Sequence, residues 1–337
     1  MEILLISVVF AIAAICAGLM GFAIQRGTTC TVAAMDEVVR KRKFSRLGSM
    51  VEAALWVLGG LLIAQAFHAL PKMPAGYAVT WATMLGGALL GFGAFVNGAC
   101  VFGAIARLGS GEWAYLVTPI GFYAGCVTAG TLFAVPAPPK LPFGSPVLQA
   151  SMWLAVVFLV AMIWRIGRAL HAARAAAPSK DMVAGLRHAL TQHVWSPRGA
   201  TTVIGITFFF MLVLTGAWAY TDVLAELARG MAANLPARVL LAFALLVGAI
   251  AGGWTAGRFR TVRVTFAQVT KCFAGGLLMG WGSLMIPGGN DGLILVGMPL
   301  VWPYAWVAFV TMCVTIGAAQ VIGARLDFSA KVIRSLG

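Results

Sequence analysis

Charged residues are scarce in this chain, at 10% of 337 residues, whereas soluble domains average about 25%. Hydrophobic residues make up 61% of the sequence, and its mean hydropathy is +0.93. This composition excludes an ordinary soluble domain and indicates an integral membrane protein. The first apolar run, residues 4–24, has no basic start and is too long for the core of a signal peptide, so we predict a mature helix there.

Paired cysteines and metal-ligand spacings are also missing. The six cysteines, at positions 16, 30, 100, 126, 272 and 313, are scattered through apolar segments without a C-x-x-C motif, which argues against a disulfide framework. The four histidines fall in loops or at span ends, and no nucleotide-binding loop or hydrolase motif is present. We therefore predict no enzyme activity, no metal and no cofactor. The net charge of +14 is concentrated in a few loops, a pattern that serves membrane topology and does not require a nucleic-acid partner.

Runs of about 20 apolar residues, enough to cross about 30 Å of hydrocarbon, recur along the chain. We predict nine spans in the lipid bilayer, at residues 3–24, 50–68, 80–97, 113–135, 147–169, 200–220, 239–257, 270–286 and 302–323. Basic clusters follow the first, fifth, seventh and ninth spans, whereas the other loops carry little charge. Because basic loops stay in the cytoplasm, we predict an outside N-terminus and a cytoplasmic C-terminus.

An internal repeat organises the chain. Residues 86–103 and 275–292 are similar glycine-rich stretches, and the same ungapped offset of 189 pairs Trp113 with Trp302 and Tyr115 with Tyr304. On the predicted topology the two copies cross the membrane in opposite directions, which gives inverted repeats with a substrate path where the halves meet. We predict a first repeat at 1–135, a connector with a basic loop at 136–199, and a second repeat at 200–337.

Four short segments, 27–38, 98–110, 221–236 and 287–299, are poor spans and follow spans at equivalent places. We interpret them as re-entrant segments, because non-helical backbone within a membrane must be buried in protein or line a wet cavity. The glycines that precede two of them suit close helix packing. This architecture is an all-α polytopic membrane protein.

Two cysteines stand out because they occupy breaks in helices. Cys30 follows a turn after Gln25 and Arg26, and Cys100 follows an Asn-Gly pair. A cysteine usually behaves as a small buried hydrophobe, whereas reactive thiols favour partly exposed, electropositive surroundings. Both interpretations stay open for these two positions, and Arg26 is the candidate anion partner.

The second repeat has a different break, Pro-Gly-Gly-Asn-Asp, at residues 287–291. Gly289 is the counterpart of Cys100 by offset, and Asn290 and Asp291 follow it. An acidic residue at this depth is a functional hypothesis by default, although Asn or Asp could equally cap the next short helix. Helices that begin near 100 and 290 would also direct backbone N–H groups to the centre, where an anion could bind.

Three motifs resemble the YeeE/YedE family of bacterial inner-membrane proteins. They are GFAIQRGTTC at 21–30, NGACVFGAIARLGSGEWA at 97–114 and PGGNDGLILVGMPL at 287–300. The resemblance implies an hourglass-like fold of nine spans with four re-entrant segments. It also implies a permease that passes thiosulfate inward through S–H···S contacts along central cysteines, here Cys30 and Cys100. A further central cysteine of the family should fall near Gly289, where this chain has no thiol.

The leading hypothesis is therefore a permease for thiosulfate or a related sulfur-containing anion. The path residues are expected to be Cys30, Cys100, Gln25, Arg26, Gly289, Asn290 and Asp291. Two alternatives stay open: a non-transporting membrane module that docks a cytoplasmic sulfur-carrier protein through its basic loops, and a permease for selenium compounds. The energy source and the oligomeric state do not follow from the sequence.

Overall fold

The computed structural model describes residues 2–71, 73–132, 138–176, 194–230 and 235–336. Within these ranges the chain is helical, and the β pairing found there is one isolated antiparallel bridge between Tyr77 and Lys140. The prediction of an all-α protein is therefore confirmed. The basic loop of the predicted connector falls largely on residues 177–193, which lie outside the described ranges.

We number the helices of the described ranges in chain order. They are α1 Glu2–Gly27, α2 Thr31–Lys41, α3 Ser45–Ala66, α4 Trp81–Asn97, α5 Val101–Gly109, α6 Val117–Leu132, α7 Met152–Ala176, α8 Pro197–Thr215, α9 Tyr220–Ala228, α10 Leu235–Thr255, α11 Phe266–Met285, α12 Asn290–Gly292 and α13 Pro303–Leu336. A π-helical turn, Leu293–Gly297, continues α12.

Seven helical runs in the described part of the chain are long and apolar enough to cross a membrane, or eight if the bent pair of α11 and α12 forms one span. The predicted span at 113–135 corresponds to a 3-10 turn, Trp113–Leu116, followed by α6, which is described as far as Leu132. The multi-pass architecture is therefore confirmed, whereas the count of nine stays a prediction.

The helix breaks differ between the two halves. Val8–Lys41 and Trp81–Gly109 each continue through their break as one span, whereas α11 meets the segment Asn290–Gly297 at 50°. Segments 27–38 and 98–110, which we predicted as re-entrant, correspond to α2 and α5 in the structure, and their re-entrant course stays a prediction. The sharper bend follows Pro287, which cannot continue a helix, and Gly288, whose φ of 130° is open only to glycine.

The two repeated stretches pack directly against each other as α4 and α11. A Cβ on Gly86 would lie 2.8 Å from the carbonyl oxygen of Gly282, and a Cβ on Gly93 would lie 2.7 Å from that of Gly275. A larger side chain at any of these positions would force the helices apart, since the obstacle is backbone. The glycines therefore permit the close crossing that brings the two halves together.

Helix α7 lies at the outside of the bundle. Only 6% of the stretch Met152–Ala169 is buried inside the protein. Large apolar side chains such as Trp153 and Trp164 are exposed. An ion pair between Arg165 and Glu52 ties α7 to α3. Apolar surface of this extent would be a liability in water, and lipid is the partner that it fits.

Candidate functional site

The two breaks of the first half meet at a pair of cysteines. Cys30 is the N-cap of α2 and Cys100 is the N-cap of α5, each with an extended backbone. The backbone N–H of Thr31, the first residue of α2, donates a hydrogen bond to the Cys100 sulfur at 3.1 Å. The two thiols are free and interact electrostatically with each other. The structure thus brings the two predicted cysteines together where two helix N-termini converge.

The Cys30 thiol sits directly on the backbone of α5. A Cβ on Gly103 would lie 2.4 Å from the Cys30 sulfur and 3.0 Å from its Cβ. Cys30 is half-buried, whereas Cys100 is fully buried. On another side Cys30 and Arg46 line a cavity of about 10 Å³, which is room for about one water molecule. The surroundings of the thiols are therefore tightly defined by neighbouring backbone.

Gln25 and Arg26 precede the break in α1, and both side chains are buried. Arg26 Nη2 donates to Thr255 Oγ1 at 2.8 Å, and the guanidinium lies 4.9 Å from the centre of the Phe22 ring. Gln25 Nε2 donates to Ser110 Oγ at 3.3 Å, while its Oε1 has no hydrogen-bond partner within the described ranges. These contacts tie α1 to α10 and to the end of α5. A role of either residue as an anion partner stays a prediction.

The breaks of the second half repeat this backbone without its thiols. Adding 189 to positions 30 and 100 gives 219 and 289, and Ala219 and Gly289 are indeed the N-caps of α9 and α12. The φ and ψ of Gly289, −81° and −177°, nearly equal those of Cys100, −74° and −179°. The same N-cap geometry is thus built twice, once with sulfur and once without it.

At the helix breaks of the second half, the side chain of Asp291 accepts hydrogen bonds from backbone N–H groups. Asp291, 3% exposed, accepts hydrogen bonds from the N–H of Thr221 at 3.3 Å and of Gly292 at 3.1 Å, and a further one from the Thr221 hydroxyl. A Cβ on Gly289 would lie 2.3 Å from Thr221 Oγ1. Thr221 therefore occupies the space that a thiol at position 289 would need.

A cavity of about 270 Å³ opens beside Gly289. Its charged lining consists of Asp222, Glu226, Arg229 and Arg238, with Arg238 paired to Glu226. Charged side chains inside a membrane bundle are costly and mark polar paths. The sequence placed Thr221, Asp222, Glu226 and Arg229 in a predicted re-entrant segment at 221–236, but their charge alone did not mark them as site residues. The offset of 189 from the first break was the available signal.

Asn290 is 1% exposed, and neither its Oδ1 nor its Nδ2 has a hydrogen-bond partner in the described part of the chain. An unpaired buried amide costs about 1–3 kcal/mol, so a polar ligand or a water molecule is expected against it. Helix α12 packs against α5, which brings this end of α12 beside the helix that begins after Cys100. Among the predicted second-half residues, Asn290 is the one whose side-chain polar atoms lack hydrogen-bond partners in the described part of the chain.

A family model described as sulphur transport matches residues 26–318 of the chain. The chain belongs to the sulphur transport family. The resemblance to YeeE/YedE proteins inferred from three motifs is therefore confirmed. Thiosulfate transporter TsuA of Escherichia coli (strain K12) is 26% identical over 341 aligned positions, which cover 91% of this chain and 92% of that protein.

For a member of the sulphur transport family, the arrangement at Cys30 and Cys100 has a clear chemical capacity. Helix N-termini carry partial positive charge and point N–H donors at any anion in front of them. A thiol is a weak donor and a weak acceptor, so it satisfies these groups loosely. The first-half break is therefore suited to receive an anion, and its soft sulfur surface suits an anion that also carries sulfur.

Proposed function

We propose that this protein is a permease for thiosulfate or a related sulfur-containing anion, which passes inward along a path lined by Cys30 and Cys100. The observation that carries the proposal is the hydrogen bond from Thr31 N–H to the Cys100 sulfur at 3.1 Å, where two helix N-termini and two thiols converge. The family match and the likeness to a thiosulfate transporter support the substrate class. On this proposal the protein is a transporter and not an enzyme.

The physical need for such a site comes from the charge of the substrate. A dianion in hydrocarbon would lose its hydration at a large cost in free energy. Helix N-termini replace part of that hydration with fixed N–H donors. The thiols provide contacts for a terminal sulfur atom, which accepts weak S–H hydrogen bonds. The break is thus a place where the anion can exchange water for protein groups.

We further propose that the anion approaches from the cavity beside Gly289. Its charged lining would collect a polar solute, and Asn290 would offer its amide beyond the cavity floor. The distribution of basic loops supports an outside N-terminus and a cytoplasmic C-terminus in a bacterial inner membrane. With that orientation, α8 leads outward and the cavity at α9 faces the outside.

The test is uptake of labelled thiosulfate by liposomes that contain the purified protein. We expect flux in the wild type and a fall of about tenfold or more in Cys100→Ala and Cys30→Ala, the effect of losing roughly 1.4 kcal/mol of stabilisation along the path. Cys313→Ala is the matched control, because Cys313 is a buried cysteine within α13 and away from the helix breaks.

Each outcome bears on a different part of the proposal. Absence of thiosulfate flux in the wild type would contradict thiosulfate as the substrate, and selenosulfate and other sulfur anions would then be tested in the same liposomes. Full flux in a Cys30→Ala/Cys100→Ala double variant would contradict the thiol-lined path but leave the permease in place. An equal loss in Cys313→Ala would indicate a general effect on folding.

A further inference from the structure

Helix α5 buries every residue except one. Eight of its nine residues are buried, and the exception is Arg107, whose side chain is 44% exposed. A lone exposed cation on an otherwise buried helix needs an explanation, since the rest of α5 is held by contacts with α1 and α10. The position of Arg107 relative to the thiols provides one.

Arg107 lies on the same face of α5 as the contact with Cys30. Residues four apart on a helix are neighbours on one face, and Gly103 is the residue whose Cα lies against the Cys30 sulfur. The backbone of Arg107 therefore lies one helical turn from Gly103 on the same face, and the charge of Arg107 acts electrostatically on Cys30. Arg107 belongs to the last turn of α5, but its guanidinium reaches back to the carbonyl oxygen of Gly98, two residues before Cys100.

Neighbouring groups hold the guanidinium in place. Arg107 Nη1 contacts Glu112 Oε2 at 3.0 Å, and Nη2 lies 3.5 Å from the carbonyl oxygen of Gly98. The guanidinium carbon lies 5.1 Å from the centre of the Tyr115 ring, and the Tyr115 hydroxyl donates to Asn97 O at 3.2 Å. A guanidinium has five N–H donors, and these polar contacts engage two of them. The group is thus fixed in position with donors and exposed surface to spare.

We propose that Arg107 is a positioning residue for the transported anion: its guanidinium binds the oxyanion end while the Cys30 thiol contacts the sulfur end. The inference rests on the proposed function. The planar fork of arginine matches oxyanions and forms charge-assisted hydrogen bonds with them. An anion with both hard oxygens and a soft sulfur would engage both groups at once, which would favour it over an anion that has oxygens alone.

Arg46 is the other arginine beside Cys30, and the geometry favours Arg107 over it. The cavity that Cys30 shares with Arg46 has a volume of about 10 Å³, which fits about one water and not an oxyanion. Arg46→Gln is therefore a matched control: it removes the same charge near the same thiol.

The experiment measures how thiosulfate protects Cys30 from alkylation by N-ethylmaleimide in the full-length protein, with the modified peptide quantified by mass spectrometry. In Arg107→Gln we expect the half-protecting thiosulfate concentration to rise about tenfold, the loss of roughly one charge-assisted hydrogen bond. Arg107→Lys keeps the charge but loses the fork, so an intermediate rise is expected. Arg46→Gln should match the wild type. Uptake should show a higher KM for Arg107→Gln with a smaller change in maximal rate.

The results that would overturn the inference are distinct from those that would overturn the function. Equal protection in wild type, Arg107→Gln and Arg107→Lys would remove the positioning role, as would equal shifts in the Arg46 and Arg107 variants. If Arg107→Gln fails to fold, the comparison of Arg107→Lys with Arg46→Gln decides by the same criterion. A wild type without thiosulfate uptake and without protection would instead contradict the proposed function.

Discussion

The two helix breaks of the first half and the two of the second half have matching backbones and opposite chemistry. Cys30 and Cys100 are N-caps in one half, and Ala219 and Gly289 are N-caps at the offset of 189 in the other. In the first half sulfur faces the N–H of Thr31. In the second half a carboxylate and a hydroxyl occupy the corresponding space. One scaffold thus carries two different kinds of cap.

Because of this difference, the two halves would interact differently with an anion. A thiol is a weak partner for a backbone N–H, so an incoming anion can replace it with little loss. The carboxyl group of Asp291 accepts three hydrogen bonds from Thr221 and Gly292, so these donors are already engaged. On the proposed function, the first half offers an anion site, whereas in the second half the Asp291 carboxyl group already accepts from the corresponding N–H donors.

Removal of the Asp291 carboxyl group should have the largest effect. Asp291→Ala leaves three buried donors without their acceptor, and we expect a loss of about 3 kcal/mol in the free energy of unfolding. The measurement is SDS unfolding in mixed micelles. Asp36→Ala is the control, because Asp36 forms an exposed i,i+4 pair with Arg40 and should cost under about 0.5 kcal/mol. Equal losses in the two variants would show that Asp291 is not a structural cap.

Introduction of a thiol at position 289 tests whether Thr221 excludes a cysteine from the second half. In Gly289→Cys the new Cβ would lie 2.3 Å from Thr221 Oγ1 and 2.7 Å from its Cβ, so overpacking should destabilise the protein by about 2 kcal/mol. Thr221→Gly removes both obstructing atoms. A double-mutant cycle should therefore give a favourable coupling of about 1–2 kcal/mol between the two substitutions. Strict additivity would mean that Thr221 does not exclude a side chain at position 289.

A subtler change should disturb the first half alone. Gly103→Ala places a methyl group 2.4 Å from the Cys30 sulfur, and the flexible thiol should move away at modest cost in stability. We expect thiosulfate uptake to fall about tenfold, which corresponds to roughly 1.4 kcal/mol. Gly48→Ala is the control, since a Cβ there meets nothing within 4 Å. Normal uptake in Gly103→Ala would show that the position of the Cys30 thiol does not matter for transport.

The sequence predicted the helical class and the helix breaks at Cys30 and Cys100, because both follow from local signals: apolar run length and breaks at glycines. A common path for the two cysteines was implied only by the family resemblance. The sequence did not reveal the direction of α2 and α5 after their breaks, since the direction of a helix after a break depends on packing with other helices. Thr221 and Arg107 were also overlooked. Each gains its significance from a neighbour distant in sequence or on another turn, Gly289 and Cys30 respectively, and composition carries no trace of such contacts.

The broken spans have an electrical consequence. Cys30 lies one 11-residue helix before the basic end of α2, and Cys100 lies one 9-residue helix before the end of α5; at 1.5 Å per residue both thiols are about 15 Å from those ends. On the proposed topology, in which α2 and α5 end at the edge of about 30 Å of hydrocarbon, they lie near the middle of the transmembrane field. A dianion that reaches them has crossed about half of that field, which amounts to roughly 2.3 kcal/mol per 100 mV. An inside-negative potential therefore opposes occupancy of the thiol site from the outside, and a potential of the opposite sign favours it.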